Sequence, residues 1–246
     1  MRRMLLVALC AAGVGVSAAE LSVMSAGALE AGIAPVVQQF QRESGHVVAV
    51  EYGTSPELTA RLSKGQAADV LVAPDVVMNQ AIDDGKIVAA TRVPVGRIGV
   101  GMVVRRGAPA PDVSSADALK RALLAAGAVV YTRGSSGQYI EALFMKLGVK
   151  EQLASRLVVV ADAEAALARI AAGSERDLGF GAITAIKAYE GKGTYYVAPL
   201  PEAIQNFTAY DAAVRAGARE PQAAAAFVAF LKSPAARRTL LDAGVQ

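Results

Sequence analysis

Three short turns of the chain combine hydroxyl-bearing and small residues directly before a predicted helix. They comprise Ser25, Gly27 and Ala28 in the first turn, Thr54 and Ser55 in the second, and Ser135 and Ser136 in the third. The first N–H groups of a helix have no partner within the helix and carry partial positive charge. Together with neighbouring hydroxyl donors, they can therefore bind a small anion. The pattern therefore indicates an anion-binding site made of neutral donors.

Each of these turns also has a purely structural interpretation. Ser and Thr are favoured caps of helices, and Pro56 fits the first turn of the helix that Thr54 or Ser55 would cap. Arg133 precedes the third turn, where its guanidinium could form two parallel bonds to a carboxylate. Because arginines are mostly exposed, the alternative for Arg133 is a side chain in solvent.

The elements that would position these turns alternate between strand and helix. Apolar, β-prone segments precede helical patterns at 21–24, 47–52, 70–72, 128–131, 157–160 and 178–182. This alternation predicts an α/β fold with mainly parallel sheets flanked by helices. The long segment 97–105 and the segment 205–210 predict two crossings between lobes, and Gly99 and Gly101 are candidate hinge residues.

The composition argues against several classes of function. Without Arg2 and Arg3, the 25 basic residues fall to 23 against 22 acidic residues, which does not support nucleic-acid binding. His46 is the single histidine and lies in a turn, where we expect it at the surface. One histidine without cysteines or clustered carboxylates makes no recognisable metal site, so we expect neither a metal nor a cofactor.

The first residues have the pattern of an export signal. The basic segment Met1-Arg2-Arg3 precedes an apolar run to Val16 and the small residues Ser17, Ala18 and Ala19. This pattern predicts a signal peptide over 1–19 and a periplasmic mature protein that is not embedded in a membrane. Cys10 suggests a lipid anchor only weakly, because Leu9 stands where that signal requires a small residue.

Several motifs give the chain a resemblance to a known family. They include Ser25-Ala-Gly-Ala-Leu, Gly53-Thr-Ser-Pro-Glu-Leu and Ala67-Ala-Asp-Val-Leu-Val-Ala-Pro-Asp, and the similarity continues through 97–106, 137–148, 161–170 and 178–179. The chain resembles the periplasmic molybdate-binding proteins of ABC importers. The resemblance implies a two-lobed periplasmic-binding-protein fold of type II with the ligand cleft between the lobes. We expect lobe 1 to comprise 20–97 and 198–246, and lobe 2 to comprise 98–197.

The sequence departs from this family at positions that would contact the ligand. The family usually has Ser at the position of Ala28 and Tyr at or near Ala182, so two hydroxyl donors are missing and the pocket should be roomier. The resemblance implies that the backbone N–H of Ala163 also contacts the ligand. Thr184 is a candidate to replace one of the two missing hydroxyl donors. The resemblance implies molybdate or tungstate as the default ligand, whereas these departures, together with Arg133, argue for a larger anion such as a di- or tricarboxylate. The sequence leaves both classes of anion open.

Two functions from different classes follow. The first is a monomeric periplasmic binding protein that closes on a small anion and delivers it to the permease of an ABC importer; a sensor protein without a transporter is a variant of it. The second is an isomerase on the same scaffold, because periplasmic aconitate isomerases resemble molybdate-binding proteins. Such an enzyme needs a base, for which Tyr139, Asp162 and Asp75 are candidates without a supporting motif.

Overall fold

A computed structural model describes residues 18–246. The predicted signal peptide lies outside the described residues except for its last two positions. The strands are β1 Glu20–Ala26, β2 Val47–Gly53, β3 Val70–Pro74, β4 Val93–Arg105, β5 Val129–Thr132, β6 Leu157–Val160, β7 Leu178–Ala182, β8 Thr194–Pro199 and β9 Phe207–Val214.

Helices follow most of these strands. The α-helices are α1 Glu30–Ser44, α2 Ser55–Ser63, α3 Asp75–Asp83, α4 Ala116–Ala125, α5 Ser135–Lys146, α6 Lys150–Leu153, α7 Ala163–Ala171, α8 Ile183–Ala188, α9 Pro221–Phe230 and α10 Pro234–Asp242. Short 3-10 helices span Gly27–Leu29, Ala89–Thr91, Ala154–Arg156 and Glu202–Ile204. Within 18–246, no helix is both long and apolar enough to span a bilayer.

The strands form one continuous hydrogen-bonded order, β2-β1-β3-β9-β4-β7-β5-β6, with β8 also paired to β4. β1, β2 and β3 are parallel, as are β5, β6 and β7, whereas β9 is antiparallel to β3 and β4. The register pairs Ala26 with Gly53 and Thr132 with Val160. It therefore places the turns after β1 and β2 side by side, and likewise those after β5 and β6.

The buried apolar residues separate into the cores of two lobes. One cluster takes in residues from 21 to 98 and from 210 to 245, together with Ala182. The other two clusters draw on residues from 100 to 204 and cover the two faces of the second half of the sheet. The two-lobed α/β fold is thus confirmed, and the chain changes lobe inside β4 and again shortly before β9. The boundaries at 97/98 and 197/198 remain predictions; Leu200 and Ile204 still pack in the second lobe.

Asp69 is a buried carboxylate that joins three parts of the first lobe. It is fully buried, and its oxygens accept hydrogen bonds from Ser22 N at 2.8 Å, Ser22 Oγ at 2.9 Å, Arg219 N at 2.7 Å and Glu220 N at 3.2 Å. Burial by itself would raise the pKa of Asp69, but these hydrogen bonds outweigh it and lower the pKa below 3.8. The charged carboxylate therefore ties β1 and the start of α9 to the segment before β3.

The prediction that His46 lies at the surface is wrong. Its side chain is 6% exposed, its Nδ1 accepts a hydrogen bond from Ala19 N at 3.1 Å, and its ring centroid lies 5.8 Å from that of Phe40. A side chain in a turn can be buried when another segment of the chain covers it, as Ala19 and Phe40 cover His46. Within residues 18–246, no group of three or more His, Cys, Asp or Glu side chains could hold a metal ion.

Gly101 in β4 has a packing reason that the sequence did not reveal. A Cβ atom at this position would lie 2.8 Å from Tyr196 Cε2 and 3.0 Å from Ile183 Cγ1. Glycine therefore lets β8 and α8 approach the crossing strand closely. Its role as a hinge remains a prediction.

Candidate functional site

A cavity of about 380 Å³ lies between the two lobes, where the turns after six strands meet. The first lobe contributes Ala26, Gly27, Ala28, Glu30, Tyr52, Gly53, Thr54, Ser55, Glu57, Arg61, Pro74 and Tyr210. The segments from β5 to α5, from β6 to α7 and from β7 to α8 contribute residues from their turns and from the adjoining strands and helices. These are Thr132, Gly134, Ser135, Ser136, Asp162, Ala163, Glu164, Ala166, Leu167, Ile170, Gly179, Phe180, Gly181, Ala182, Ala185 and Ile186, with Val103 from β4.

On the first lobe, the start of α2 is held by a reciprocal cap. Glu57 Oε2 accepts hydrogen bonds from Thr54 N at 2.7 Å and from Thr54 Oγ1 at 2.9 Å. The backbone hydrogen bond from Thr54 is the largest cause that lowers the pKa of Glu57, and the nearby charge of Arg61 contributes to it. The Thr54 hydroxyl is thus engaged by its own helix, whereas the Ser55 hydroxyl points across the cleft.

On the second lobe, Ser135 and Ser136 are the first two residues of α5. Their N–H groups therefore have no carbonyl partner within the helix. Gly137 follows them in close contact with the end of β5, since a Cβ atom there would lie 1.7 Å from Thr132 O. No side chain fits in that space, so glycine fixes the position of the serine-bearing turn.

A third helix begins at the cavity beside α5. The side chain of Asp162 caps α7, because its Oδ1 accepts a hydrogen bond from Ala165 N at 2.8 Å, as the sequence predicts. Ala163 is the first residue of α7 and is half-buried in the cavity wall. The N-termini of α2, α5 and α7 thus converge from two lobes, which favours an anionic group between them.

The two lobes contact each other directly at the edge of the cavity. Ser55 Oγ and Ser135 Oγ lie 2.7 Å apart, which is a hydrogen bond between residues 80 positions apart in the sequence. Ser55 is only 9% exposed. The structure therefore shows the two lobes in a closed arrangement.

The charged groups of the cavity are mostly acidic and lie at its rim. Glu30 on the first lobe and Asp162 and Glu164 on the second are exposed. Desolvation is the largest cause that raises the pKa of Tyr52 to about 12, and the charge of Glu30 adds to it. Desolvation also leads the causes that raise the pKa of Tyr189, followed by a hydrogen bond with Glu164 and then by the charges of Glu164, Asp162 and Glu30. The three rim carboxylates therefore lie close enough to influence the same phenol.

The structure brings seven of the ten predicted ligand-binding residues together. Gly27, Ala28, Thr54, Ser55, Ser135, Ser136 and Ala163 all line the cavity. Contact of these residues with a ligand remains a prediction.

The other three predicted residues lie outside the lining. Ser25 is fully buried within β1, with its hydroxyl 3.4 Å from Ala26 O. Arg133 is exposed, which matches the alternative of a side chain in solvent. Thr184 is fully buried and donates to Ala28 O at 2.6 Å, so its hydroxyl links α8 to the turn after β1.

Of the three candidate bases, only Asp162 lines the cavity. The Tyr139 hydroxyl donates to Ile204 O at 2.7 Å, and Asp75 Oδ1 accepts from Val76 N at 2.8 Å. The sequence analysis missed Glu30, the first residue of α1, and Tyr52, near the end of β2, which both line the cavity. Tyr52 ends the predicted strand 47–52 and Glu30 follows the first predicted turn, so their positions could have identified them.

The comparisons with known proteins agree with this architecture. The chain is 28% identical over 234 residues to an aconitate isomerase of Pseudomonas sp., covering 92% of this chain and 87% of the relative. It is 26% identical over 224 residues to the molybdate-binding protein ModA of Escherichia coli strain K12, covering 88% of this chain and 85% of the relative.

Among solved structures, the periplasmic molybdate-binding protein of Azotobacter vinelandii superposes with a TM-score of 0.73 at 20% identity. That match covers 92% of this chain and 98% of the other. The resemblance found in the sequence is thus confirmed. The family described as bacterial extracellular solute-binding protein matches residues 21–246. This chain therefore belongs to the family of bacterial extracellular solute-binding proteins.

Proposed function

We propose that this protein is the periplasmic binding protein of an ABC importer and that it encloses a small organic anion between its lobes. The observation that carries the proposal is the convergence of the N-termini of α2, α5 and α7 on one cavity at a closed interface between lobes. Preorganised N–H and hydroxyl dipoles stabilise an anion there without a formal countercharge.

The size of the cavity favours an organic ligand. A tetrahedral oxyanion has a single central atom and its oxygens, whereas a cavity of about 380 Å³ lies within the range of sites for larger small molecules. Alanine at positions 28 and 182 leaves the wall without two side-chain hydroxyls. Molybdate and tungstate, which the resemblance implies, are therefore the comparison ligands of the test.

The closed interface also gives the proposal a mechanism. The Ser55–Ser135 hydrogen bond forms only when the lobes meet, so a ligand that stabilises this arrangement shifts the protein towards it. A permease that recognises both lobes at once would then distinguish the loaded protein from the empty one. We propose a monomer in the periplasm as the functional form.

The test is a thermal-shift screen of the mature protein, followed by calorimetry. The anions are molybdate, tungstate, sulfate, phosphate, citrate, cis- and trans-aconitate, and the monocarboxylates butyrate and valerate, with sodium chloride as the salt control. A ligand that binds only the folded state raises the melting temperature. We expect an organic anion to raise it and Ser136→Ala to reduce the rise, whereas Ser63→Ala, on the exposed end of α2, leaves it unchanged. No shift with any anion contradicts the proposal.

A second candidate function rests on the 28% identity to an aconitate isomerase over most of the chain. In such a reaction a base removes a proton from one carbon, the double bond moves, and a proton returns at the other end of the allylic system. Asp162 is the candidate base because its carboxylate lies at the cavity. Incubation with cis-aconitate, followed by NMR for the trans isomer, tests this function. Asp162→Asn should abolish turnover while retaining the helix cap.

A further inference from the structure

We infer that the ligand carries a single carboxylate on a compact apolar body, and that a distinct apolar end of the cavity holds this body. The apolar end consists of Val103, Ala166, Leu167, Ile170 and Ile186, which line the cavity and belong to one buried apolar cluster of the second lobe. The inference rests on the proposed function, since it names the class of anion that the same cavity takes.

The apolar end is built by the second lobe from several elements. Val103 comes from β4, Ala166, Leu167 and Ile170 come from α7, and Ile186 comes from α8. These residues are 0% to 6% exposed, and the same cavity includes the serine-bearing turns. A highly charged ligand gains nothing from such a wall, whereas each apolar group that enters it is removed from water.

Helix α7 connects the two ends of the cavity. Ala163 and Ala166 lie three residues apart and therefore share a face of this helix. Both residues line the cavity, so the free N–H of Ala163 and the methyl group of Ala166 are available to the head and the body of one ligand. The helix thus orients the ligand with its head at the turns and its body against the second lobe.

The charges of the rim limit the ligand to one carboxylate. Arg61 is the cationic side chain of the lining, and it lies beside the carboxylate of Glu57, whose pKa its charge helps to lower. Glu30, Asp162 and Glu164 then leave the rim with unbalanced negative charge. A second or third ligand carboxylate would lie near them and be repelled.

The first arm of the test measures affinity along the series acetate, propionate, butyrate and valerate by calorimetry on the mature protein. Citrate and molybdate are measured beside them at equal ionic strength. We expect affinity to rise by about four-fold for each methylene that enters the apolar end. A flat or falling series overturns the inference.

The second arm fills the apolar end. Ala166→Val narrows it, and Ala168→Val is the matched control, because Ala168 lies on the exposed side of the same helix. We expect Ala166→Val to weaken valerate binding by about ten-fold and acetate binding much less, because overpacking opposes the longer body. Equal loss for both acids contradicts the inference. If Ala166→Val fails to fold, the series on the unaltered protein still decides.

The outcomes separate this inference from the proposed function. If citrate or molybdate binds more tightly than every monocarboxylate, the inference is wrong and the binding function stands. If none of the anions binds, both are wrong.

Discussion

The hydrogen bond between Ser55 and Ser135 predicts a specific coupling between the lobes. Their hydroxyl oxygens are 2.7 Å apart, an ordinary length for such a bond, and Ser55 is 9% exposed. A neutral hydrogen bond of this kind contributes about 1 kcal/mol, because both hydroxyls bond to water when the cleft is open. This energy favours closure and hence ligand affinity by about five-fold.

A double-mutant cycle measures this coupling. Ser55→Ala and Ser135→Ala each remove the same bond, so each should weaken binding by about five-fold. The double variant should lose little more than either single variant, rather than the product of the two. Calorimetry with the anion that gives the largest thermal shift supplies the affinities, and unfolding curves check that all variants fold.

The matched control is a cycle between Ser55 and Ser136. Ser136 lies next to Ser135 and lines the cavity, but it is not a partner in the contact between the lobes. Losses in this second cycle should multiply. Independent losses for Ser55 and Ser135 would refute the reasoning, because the two hydroxyls would then not meet in the bound protein.

Three further predictions concern the supports of the site. Gly137→Ala should destabilise the protein by about 3 kcal/mol in urea unfolding, since a Cβ would lie 1.7 Å from Thr132 O, while Gly134→Ala, where the nearest contact is 3.4 Å, should be tolerated; equal effects would contradict this. Asp69→Asn should cost about 3 kcal/mol at pH 7. Because the folded pKa of Asp69 lies below 3.8, that difference should disappear as the pH falls through it, and a difference that is independent of pH would be the wrong result. Ala28→Ser adds a hydroxyl to the cavity wall and should raise molybdate affinity by about five-fold in calorimetry; no change would place Ala28 away from the anion.

The alternation of strand and helix could be predicted because it depends on local patterns. The apolar segment before Gly53 and the Pro56 signal gave β2 and the start of α2, and Asp162 was correctly expected as the cap of α7. The burial of His46 could not be predicted, because it depends on Ala19, which lies 27 residues away in the sequence.

The site could be predicted where a residue follows a strand, because the carboxyl ends of parallel strands meet. This logic brought Ser55, Ser135 and Ala163 to one cavity. It failed to indicate that Thr184 turns towards Ala28 O and that the cavity extends to Phe180 in the second lobe. Those features depend on how the lobes pack against each other, which local sequence does not encode.

The central claim is that the two lobes close on an anion. Lys64, after α2, and Gln138, in α5, are exposed positions on opposite lobes. Each can be replaced by a cysteine that carries a spin label. Cys10, the single natural cysteine, lies in the predicted signal peptide. Spin labels at these positions allow the distance between the lobes to be measured by pulsed electron resonance, and labels at Lys64 and Asp83 give a control within one lobe.

With the anion that gives the largest thermal shift, the distribution of distances between the lobes should become shorter and narrower, while the control pair stays unchanged. A distribution that does not change when the anion is fully bound would contradict the account.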